Sequence, residues 1–505
     1  MGIRVSLLPA TIQDAIRLCQ SLEIPYLWVD SLCIVQDDSE DWHHEAAEMA
    51  AIYGRSALTI TTPQNGHCDE SFGTLTTTPT DTQPLPELIW EHRQKDTTLT
   101  GAVTVRPKAF TSRGDPPFTL SIGKTDSPWM TRGWTLQEWL LSPRVLHCGS
   151  ERVWDCYQEW YPETCLTYSN PPGPLNDHDN ARDDLASHIF ARMARLDPTI
   201  GESGLDTHWA RLVEDFTSRT LSHEMDKMPA IAGLATKFME HSHAKSTGAK
   251  YLAGLWAYKG INAFGGRTYP TSQIPSGLLW RRSGVEHMRS PATYRSPSWS
   301  WAALDGPVAL FRLHWPLTFL FDMTTGFKEL TVMQVHNARC FFDPPDSYSL
   351  VKTGWIIATS PLKRAYINPS WRIRQFHPCF REKYHKTFTG LGTRRSVEET
   401  PWFGVFDQSS EQTGIHYVDE SLYLLHVATV IRDLDQPRAP NVIHHALVVE
   451  RVGSFNDIDC FRRLGVAWYS PSKEDKVTEW LDRSPNDWSD KHMLKDWESC
   501  MVRLI

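Results

Sequence analysis

The chain has 505 residues, of which 41% are hydrophobic and 22% are charged, values typical of a folded protein with more than one domain. Its formal net charge of −9 argues against nucleic-acid binding, which normally needs a basic surface. The first residues lack the apolar core of a signal peptide, and the longest apolar stretch, near Leu422–Ile431, is too short for a membrane span. We therefore expect a cytoplasmic protein whose partners are other proteins or further copies of itself.

The first elements predicted along the chain are a helix and a strand. Residues 9–24 are expected to form an amphipathic helix, because apolar side chains recur at helical spacing and Thr11–Asp14 resembles a capping box. Pro25 ends this segment. The run Tyr26–Asp30 is nearly all apolar and ends in an acid, which is typical of a strand buried on both faces of a parallel sheet.

A second helix and strand follow. We expect the helix to begin at Ser39, which can cap it, and to place Trp42, Met49 and Tyr53 on one face. The β-branched run Ala57–Thr61 is expected to form the next strand. The order helix, strand, helix, strand predicts an α/β fold with a parallel sheet.

The regular order of elements is then interrupted. Residues 64–127 are rich in Thr, Pro and Asp and are predicted to be a long insertion, with a candidate strand at Ala102–Val105. A helix at Arg132–Leu141 and a strand at Val145–Cys148 are expected after it. The stretch Tyr168–Asp184, rich in Pro, Asn and Asp, has the composition of a linker.

These patterns predict an N-terminal domain over residues 1–160, a linker over 161–184 and a second region over 185–505. The second region is expected to be helical to about residue 243, including Trp209–Phe216 and Pro229–Met239. From about residue 250, short runs broken by Gly and Pro favour strands. We therefore predict an α/β domain followed by a mixed α+β region.

Familiar catalytic and metal-binding motifs are incomplete. His44–Glu48 lacks the second histidine of the H-E-x-x-H zinc motif, and the chain contains no C-x-x-C pair and no G-x-S-x-G elbow. Cys33 lies between apolar residues and is expected to be a buried thiol. The pairs His241/His243 and His444/His445 have no other ligand type at metal spacing and are expected to face solvent. We predict no metal and no resident cofactor.

Two segments together resemble the hallmark segments of the fungal heterokaryon incompatibility (HET) family. They are Tyr26–Asp37, with the helix that follows it, and Trp129–Glu138, with its continuation to residue 144. The segment Arg295–Trp301 resembles such proteins more loosely. The family-motif residues are Trp28, Cys33, Gln36, Trp42, Met49, Tyr53, Arg132, Gly133, Gln137 and Arg144.

The resemblance implies a role in self/non-self recognition (allorecognition) coupled to programmed cell death. Family members usually begin with a strand that reads like Tyr-x-Ala-Leu-Ser-Tyr-x-Trp-Gly. This chain opens after that point, so relative to the family it is expected to be truncated at its N-terminus and to lack the first strand.

HET domains are in turn distantly similar to Toll/interleukin-1 receptor (TIR) domains, which implies a flavodoxin-like parallel sheet. Trp134 and Glu138 have the W-x-x-x-E spacing of the TIR segment that carries the catalytic glutamate in NAD-cleaving members. The resemblance thus implies that Glu138 is catalytic, that Asp30, Asp37 and Trp134 line its pocket, and that NAD is a substrate.

Other interpretations stay open at this stage. Glu138 is alternatively an exposed acid, or the partner of Arg132 or Arg144, so the sequence does not decide whether the chain is an enzyme. The domain is alternatively a non-catalytic signalling scaffold or an inactive family copy. Trp299 and Trp301 are either a sugar-binding platform or, as their apolar neighbours favour, part of a core.

Overall fold

The computed structural model contains two compact units, which are residues 1–183 with 187–199 and residues 184–186 with 200–505. The structure describes residues 2–73, 87–94, 97–104, 127–149, 152–156, 160–162, 205–240, 248–257, 274–283, 287–310, 328–342, 350–374, 387–392, 402–409, 422–432, 441–469 and 497–505. Apart from residues 161 and 162, the predicted linker lies outside these residues, as does the pair His241/His243.

In unit 1, three helices come first in the chain, and a fourth helix lies between the third and fourth strands. Its helices are α1 (Ala10–Ser21), α2 (Asp30–Cys33), α3 (Ser39–Gly54) and α4 (Trp134–Leu141). Its strands are β1 (Thr59–Thr61), β2 (Glu87–Gln94), β3 (Thr97–Thr104), β4 (Arg144–Cys148), β5 (Arg152–Cys156) and β6 (Trp160–Pro162). The helices and strands predicted near residues 9–24, 39–54, 57–61, 132–141 and 145–148 are confirmed, and the insertion carries the β2–β3 hairpin.

The sheet of unit 1 is mixed. Its order is β1-β4-β5-β6, with β1 and β4 parallel and the β4–β5 and β5–β6 pairs antiparallel. The α/β class is therefore correct, whereas an all-parallel sheet is not what the described strands form. The residue that caps helix α3 is Asp38, not Ser39 as predicted. The carboxylate of Asp38 accepts hydrogen bonds from the backbone N–H groups of Glu40 and Asp41.

The prediction of a buried strand at Tyr26–Asp30 is wrong. Residues 24–29 form neither a helix nor a strand, Tyr26 is 87% exposed, and Asp30 starts helix α2. An apolar run forms a buried strand only where neighbouring elements cover it. In the described sheet β1 pairs with β4, and no described strand pairs with the run Tyr26–Asp30. The prediction of a buried Cys33 is also wrong, because Cys33 is exposed on helix α2.

Unit 2 begins with helices and continues with strands, as predicted. Its helices are α5 (Leu205–Thr217), α6 (Pro229–Glu240) and α7 (Ile274–Gly277). Its short strands are β7 (Lys250–Leu252), β8 (Leu255–Ala257), β9 (Arg281–Arg282) and β10 (Val308–Ala309). The longer strands are β11 (Lys328–Thr331), β12 (Gln334–Phe342), β13 (Val351–Arg364), β14 (Tyr366–Arg374), β15 (Thr387–Gly392), β16 (Trp402–Phe406), β17 (Leu422–Arg432), β18 (Asn441–Phe455), β19 (Ile458–Tyr469) and β20 (Glu498–Leu504).

These longer strands form one ten-stranded sheet. Its main order is β11-β17-β13-β20-β19-β16-β15-β14, with β12 beside β13 and β18 between β17 and β19. The described pairings are antiparallel except for β19 with β20. The apolar run that is too short to span a membrane is strand β17, and no described helix is long and apolar enough to cross one.

Tryptophans form much of the core of unit 2. Trp299 and Trp301 are completely buried, so the alternative of an exposed sugar-binding platform is wrong and the core assignment is confirmed. The indole N–H groups of Trp209 and Trp301 both donate to the carbonyl of Gly254, at 2.9 and 3.0 Å. Gly254 has φ +94°, and a Cβ there would lie 2.5 Å from the Trp301 ring, so this close approach requires glycine.

A buried ion pair connects several segments of unit 2. Arg463 on β19 donates to the Asp407 carboxylate at 3.0 and 3.3 Å, and both side chains are almost completely buried. The same guanidinium donates to the carbonyls of Leu278 and Trp280 and lies 3.5 Å from the centre of the Trp280 ring. Because these bonds satisfy both charges, the pair fixes the loop after α7 against the sheet.

Histidines inside the same sheet contradict the expectation for His444/His445. Both are buried, because β18 is an internal strand whose two faces are covered, and adjacent residues of a strand point to opposite faces. His444 lies 5.4 Å from His426, ring centre to ring centre, and the Thr429 hydroxyl contacts both imidazoles. Burial lowers the pKa of His444 to about 4 and holds that of His426 well below its usual range.

We therefore expect unit 2 to lose stability in mild acid. Between the folded and unfolded pKa values of His444 the unfolded chain binds more protons, so this contribution is complete above about pH 6.5 and is lost as the pH falls toward 4. For His444 the loss between pH 7 and pH 5 is about 2 kcal/mol. Urea unfolding at the two pH values measures it.

The matched controls are His444→Gln, which should reduce the difference between the two pH values, and His336→Gln, which should not. His336 is an exposed histidine of the same sheet. An equal pH dependence in the wild type and in His444→Gln would contradict the assignment.

Candidate functional site

Helices α3 and α4 meet through one face of each. On α3, Trp42 and Tyr53 lie on the face that sequence periodicity predicts, and on α4, Trp134 and Glu138 are one turn apart and share a face. The rings of Trp42 and Trp134 meet edge to face at 6.3 Å. Farther along α3, the phenol of Tyr53 interacts with the Glu138 carboxylate, which contributes to the raised pKa of Tyr53.

Charged groups from two further segments also act on Tyr53. Asp30, at the start of α2, and Arg132, just before α4, both act electrostatically on Tyr53. Burial and the negative charges of Glu138 and Asp30 hold the pKa of Tyr53 well above its usual range, while Arg132 opposes the shift. We call Tyr53, Glu138, Asp30 and Arg132 the carboxylate cluster.

The carboxylate cluster is accessible to solvent. Glu138 and Tyr53 are partly buried, whereas Asp30 and Arg132 are exposed. Trp28 adds an aromatic wall, since its ring meets that of Tyr53 edge to face at 5.7 Å. A small molecule could therefore reach both carboxylates without local unfolding.

Asp30 is held by its own backbone surroundings. Its carboxylate accepts a hydrogen bond from the N–H of Ser31 at 2.7 Å, and the Gln36 side chain donates to the carbonyls of Asp30 and Ile34. Asp30 and Glu138 both act on Tyr53, but Asp30 lies at the start of a short helix rather than at the end of a strand. Asp37 is exposed in the turn before α3, and no contact places it in the carboxylate cluster.

The opposite side of α4 is anchored to the sheet. The indole N–H of Trp139 donates to the buried carboxylate of Asp155 on β5 at 2.8 Å. The same carboxylate lies 3.7 Å from His147 Nε2 on β4, and His147 Nδ1 is 2.7 Å from the Thr61 hydroxyl on β1. One polar network therefore joins α4 to strands β1, β4 and β5.

Hydroxyl groups fix the C-terminal end of α4. Ser142 donates to the carbonyl of Glu138 at 2.5 Å and lies 2.7 Å from the Thr59 hydroxyl, which in turn is 3.1 Å from Ser56, just after α3. These short contacts hold the ends of α3, β1 and α4 together. Residue 138 is therefore part of a well-supported turn.

The remaining motif residues have mainly structural positions. Met49 and Gln137 are buried, Gly133 is the residue before α4, and Arg144 donates to the carbonyl of Ala57 at 3.5 Å. Arg144 is therefore directed toward β1. Of the two arginines that the sequence offers as neighbours of Glu138, the structure brings Arg132 into the cluster.

The sequence alone assigns no chemical role to Tyr53. It is 85 positions before Glu138 in the chain, and the motif places it in the family pattern without a partner. The one available signal is its helical spacing from Trp42, which correctly puts the two residues on the face that meets α4.

The arrangement offers groups that suit a ligand with sugar hydroxyls, an anionic part and a flat ring. Carboxylates bind hydroxyls, a guanidinium binds phosphate, and indoles pack against rings. The described side chains include no group of three or more His, Cys, Asp or Glu residues that could hold a metal ion.

Neighbouring residues of α4 should differ in their effect on stability. Trp139→Phe removes a buried hydrogen bond to Asp155 and should lower the free energy of unfolding by about 1–3 kcal/mol. Glu138→Gln keeps the shape of a partly exposed side chain and should change it by less than about 0.5 kcal/mol. Thermal unfolding measures both. Equal losses would mean that Glu138 is a structural residue.

Comparison with known families gives one match. The family model described as heterokaryon incompatibility protein (HET) matches residues 1–138, which include α1, α2, α3, β1 and most of α4 up to Glu138. No curated protein and no solved structure matches the chain. The matched segment contains all four residues of the carboxylate cluster.

Proposed function

The chain carries a HET domain at residues 1–138, and we propose that it acts in self/non-self recognition coupled to programmed cell death, with Glu138 as the catalytic carboxylate of an NAD-cleaving site. The observation that supports the proposal is the carboxylate cluster itself. Two carboxylates, a phenol and a guanidinium from α2, α3, α4 and the residues just before α4 act on one another beside tryptophans.

The reaction we propose is hydrolysis of the bond between ribose and nicotinamide. The C1′–N bond breaks, its electron pair goes to the pyridinium nitrogen, and nicotinamide leaves as a neutral molecule. Positive charge develops on the ribose, where an ionised carboxylate close by stabilises it. The oxygen of water then bonds to C1′ and its proton passes to solvent, which gives ADP-ribose.

The other residues of the site have complementary roles in this proposal. Asp30 binds ribose hydroxyls, and Arg132 binds a phosphate of the dinucleotide. Trp134 and Asp37 complete the proposed lining, Trp134 from α4 and Asp37 from the turn before α3. NAD is the substrate in this scheme, and no resident cofactor is required. The W-x-x-x-E spacing of Trp134 and Glu138, which resembles the TIR pattern, supports the choice of substrate.

A second candidate function is a signalling scaffold that triggers death by self-association. Unit 1 exposes several large apolar side chains between the end of α1 and the residues just after α2. They are Leu22, Tyr26, Leu32 and Val35. An exposed apolar surface of this kind favours contact with another protein molecule.

Nicotinamide release by the purified full chain tests the enzymatic proposal. We expect turnover of NAD by the wild type and a loss of about 100-fold or more in Glu138→Gln, because the charge that stabilises the transition state is removed. The matched control is Glu48→Gln, an exposed acid on α3, which should keep wild-type turnover. Turnover that is unchanged in Glu138→Gln would contradict the assignment.

Cell death separates the two functions. Expression of the wild type in a fungal host should kill cells, and Glu138→Gln should abolish killing if NAD cleavage is the cause. Killing that survives Glu138→Gln and is lost when Tyr26 and Leu32 are changed to serine would support the scaffold instead.

A further inference from the structure

Strands β12, β13 and β20 of unit 2 bury one face of the sheet and leave the other face toward solvent. The paired residues Ile356 and Leu504 are completely buried on the inner face. Because successive side chains of a strand point to opposite faces, Trp355 and Arg503 lie on the other face, and so does Arg339, which is paired with Trp355. We call this the outer sheet face and define it by Arg339, Phe341, Trp355, Phe455, Met501 and Arg503.

Arg503 is held against aromatic rings on the outer sheet face. Its guanidinium carbon lies 4.3 Å from the centre of the Phe455 ring and 5.3 Å from that of Trp355. Its Nε is buried and has no hydrogen-bond partner among the described residues. The rings therefore restrict the guanidinium to one place, while its hydrogen-bonding capacity is left unused.

The arginines of the outer sheet face differ from those of the neighbouring hairpin. Arg451 on β18 and Arg462 on β19 each form an ion pair with an acid of the adjacent strand, at 2.7 and 2.6 Å. Within the part of the chain that the structure describes, Arg339 and Arg503 have no such partner. Two positive charges on this face are thus available to an anionic group from another molecule.

Large apolar side chains are exposed beside these charges. Phe341, Phe455 and Met501 are 46%, 54% and 50% exposed. Aromatic residues, methionine and arginine are the residue types enriched where proteins bind one another. The combination of unpaired arginines with exposed apolar groups therefore indicates a surface that binds a second protein.

We propose that the outer sheet face is a docking surface for a protein partner that contributes an extended segment with two acidic residues and an apolar residue between them. The carboxylates bind Arg339 and Arg503, and the apolar side chain packs among Phe341, Phe455 and Met501. This surface belongs to unit 2 and does not depend on the NAD cleavage proposed for unit 1.

The strand register sets the spacing of the two acids. Arg339 is opposite Trp355, and Arg503 is opposite Ile357, two positions farther along β13 on its other side. With about 4.8 Å between strands and about 3.4 Å per residue, the Cα atoms of the two arginines lie about 12 Å apart. An extended peptide covers this distance in about four residues, and residues i, i+2 and i+4 point to one side. The expected pattern is acid-x-apolar-x-acid.

Two other occupants fit the outer sheet face less well. A second copy that used the same face would bring the arginines of both copies together. A nucleic acid needs a longer row of free cations, whereas the arginines on β18 and β19 are already paired and the chain has a net charge of −9. An acidic protein segment satisfies both the charge and the apolar surface.

Binding of short fluorescent peptides to the full chain tests the proposal. The probe contains Glu-Ser-Leu-Ser-Glu, and its matched peptides replace both Glu with Gln or the Leu with Ser. We expect the probe to bind most tightly and its affinity to fall at least about tenfold in Arg339→Gln and in Arg503→Gln, because each variant loses a charge-assisted hydrogen bond. If the probe does not bind, or if the Gln peptide binds equally well, the proposal is overturned.

Variants of the neighbouring hairpin separate specific docking from general charge attraction. Arg451→Gln removes an exposed but already paired charge and should leave the affinity unchanged. Phe455→Ser should weaken binding without a change of charge, since it removes an exposed ring beside Arg503. The thermal unfolding midpoint of each variant shows that it is folded. A loss in Arg451→Gln equal to that in Arg339→Gln would contradict the proposal.

Two further measurements decide against the other occupants. If a single-stranded oligonucleotide binds more tightly than the peptide and loses affinity in Arg339→Gln and Arg503→Gln, the partner is a nucleic acid and the proposal is wrong. If the wild type sediments as a dimer and Arg503→Gln as a monomer, the face joins two copies, which also overturns it. We expect neither result.

Discussion

The hydrogen bond from Trp139 to Asp155 determines which way helix α4 faces. Consecutive residues of a helix point about 100° apart, so burying Trp139 against β5 directs Glu138 away from the sheet and toward α3. The network through His147 and Thr61 extends this anchor to β4 and β1. The position of the proposed catalytic carboxylate is thus a consequence of core packing.

Tyr53 supplies the second constraint on the site. Glu138 from α4, Asp30 from α2 and Arg132 from the residues before α4 all act on its phenol. A long insertion separates β1 from α4 in the chain, yet residues before it and residues after it belong to the same carboxylate cluster. The chemistry of the cluster depends on its charge balance, because one guanidinium accompanies two carboxylates in it.

Much of unit 1 follows from its sequence, and the failures have identifiable causes. Apolar periodicity locates α1, α3 and α4, and the spacing of Trp134 and Glu138 correctly puts them on one face. The run Tyr26–Asp30 misleads because its composition suits a strand while the coverage of its faces depends on distant segments. The partnership of Tyr53 with Glu138 is likewise a long-range contact that one sequence does not show.

In unit 2, too, the burial of a residue depends on long-range packing. The polar side chains of His444 and His445 predict exposure to solvent. Their strand lies between two others, however, and both imidazoles are buried. Trp299 and Trp301 are core residues, as their neighbours indicate. Residue type alone therefore fails where the position of a strand in the sheet decides burial.

Hydrogen exchange with an uncleavable carbocyclic analogue of NAD tests the central claim, that the carboxylate cluster is where this chain binds its substrate. The account predicts that the analogue slows backbone exchange in α2, in the last turn of α3 and in α4. It also predicts that this protection is weakened by Arg132→Gln. Protection confined to other parts of the chain, or none at saturating analogue, would contradict it.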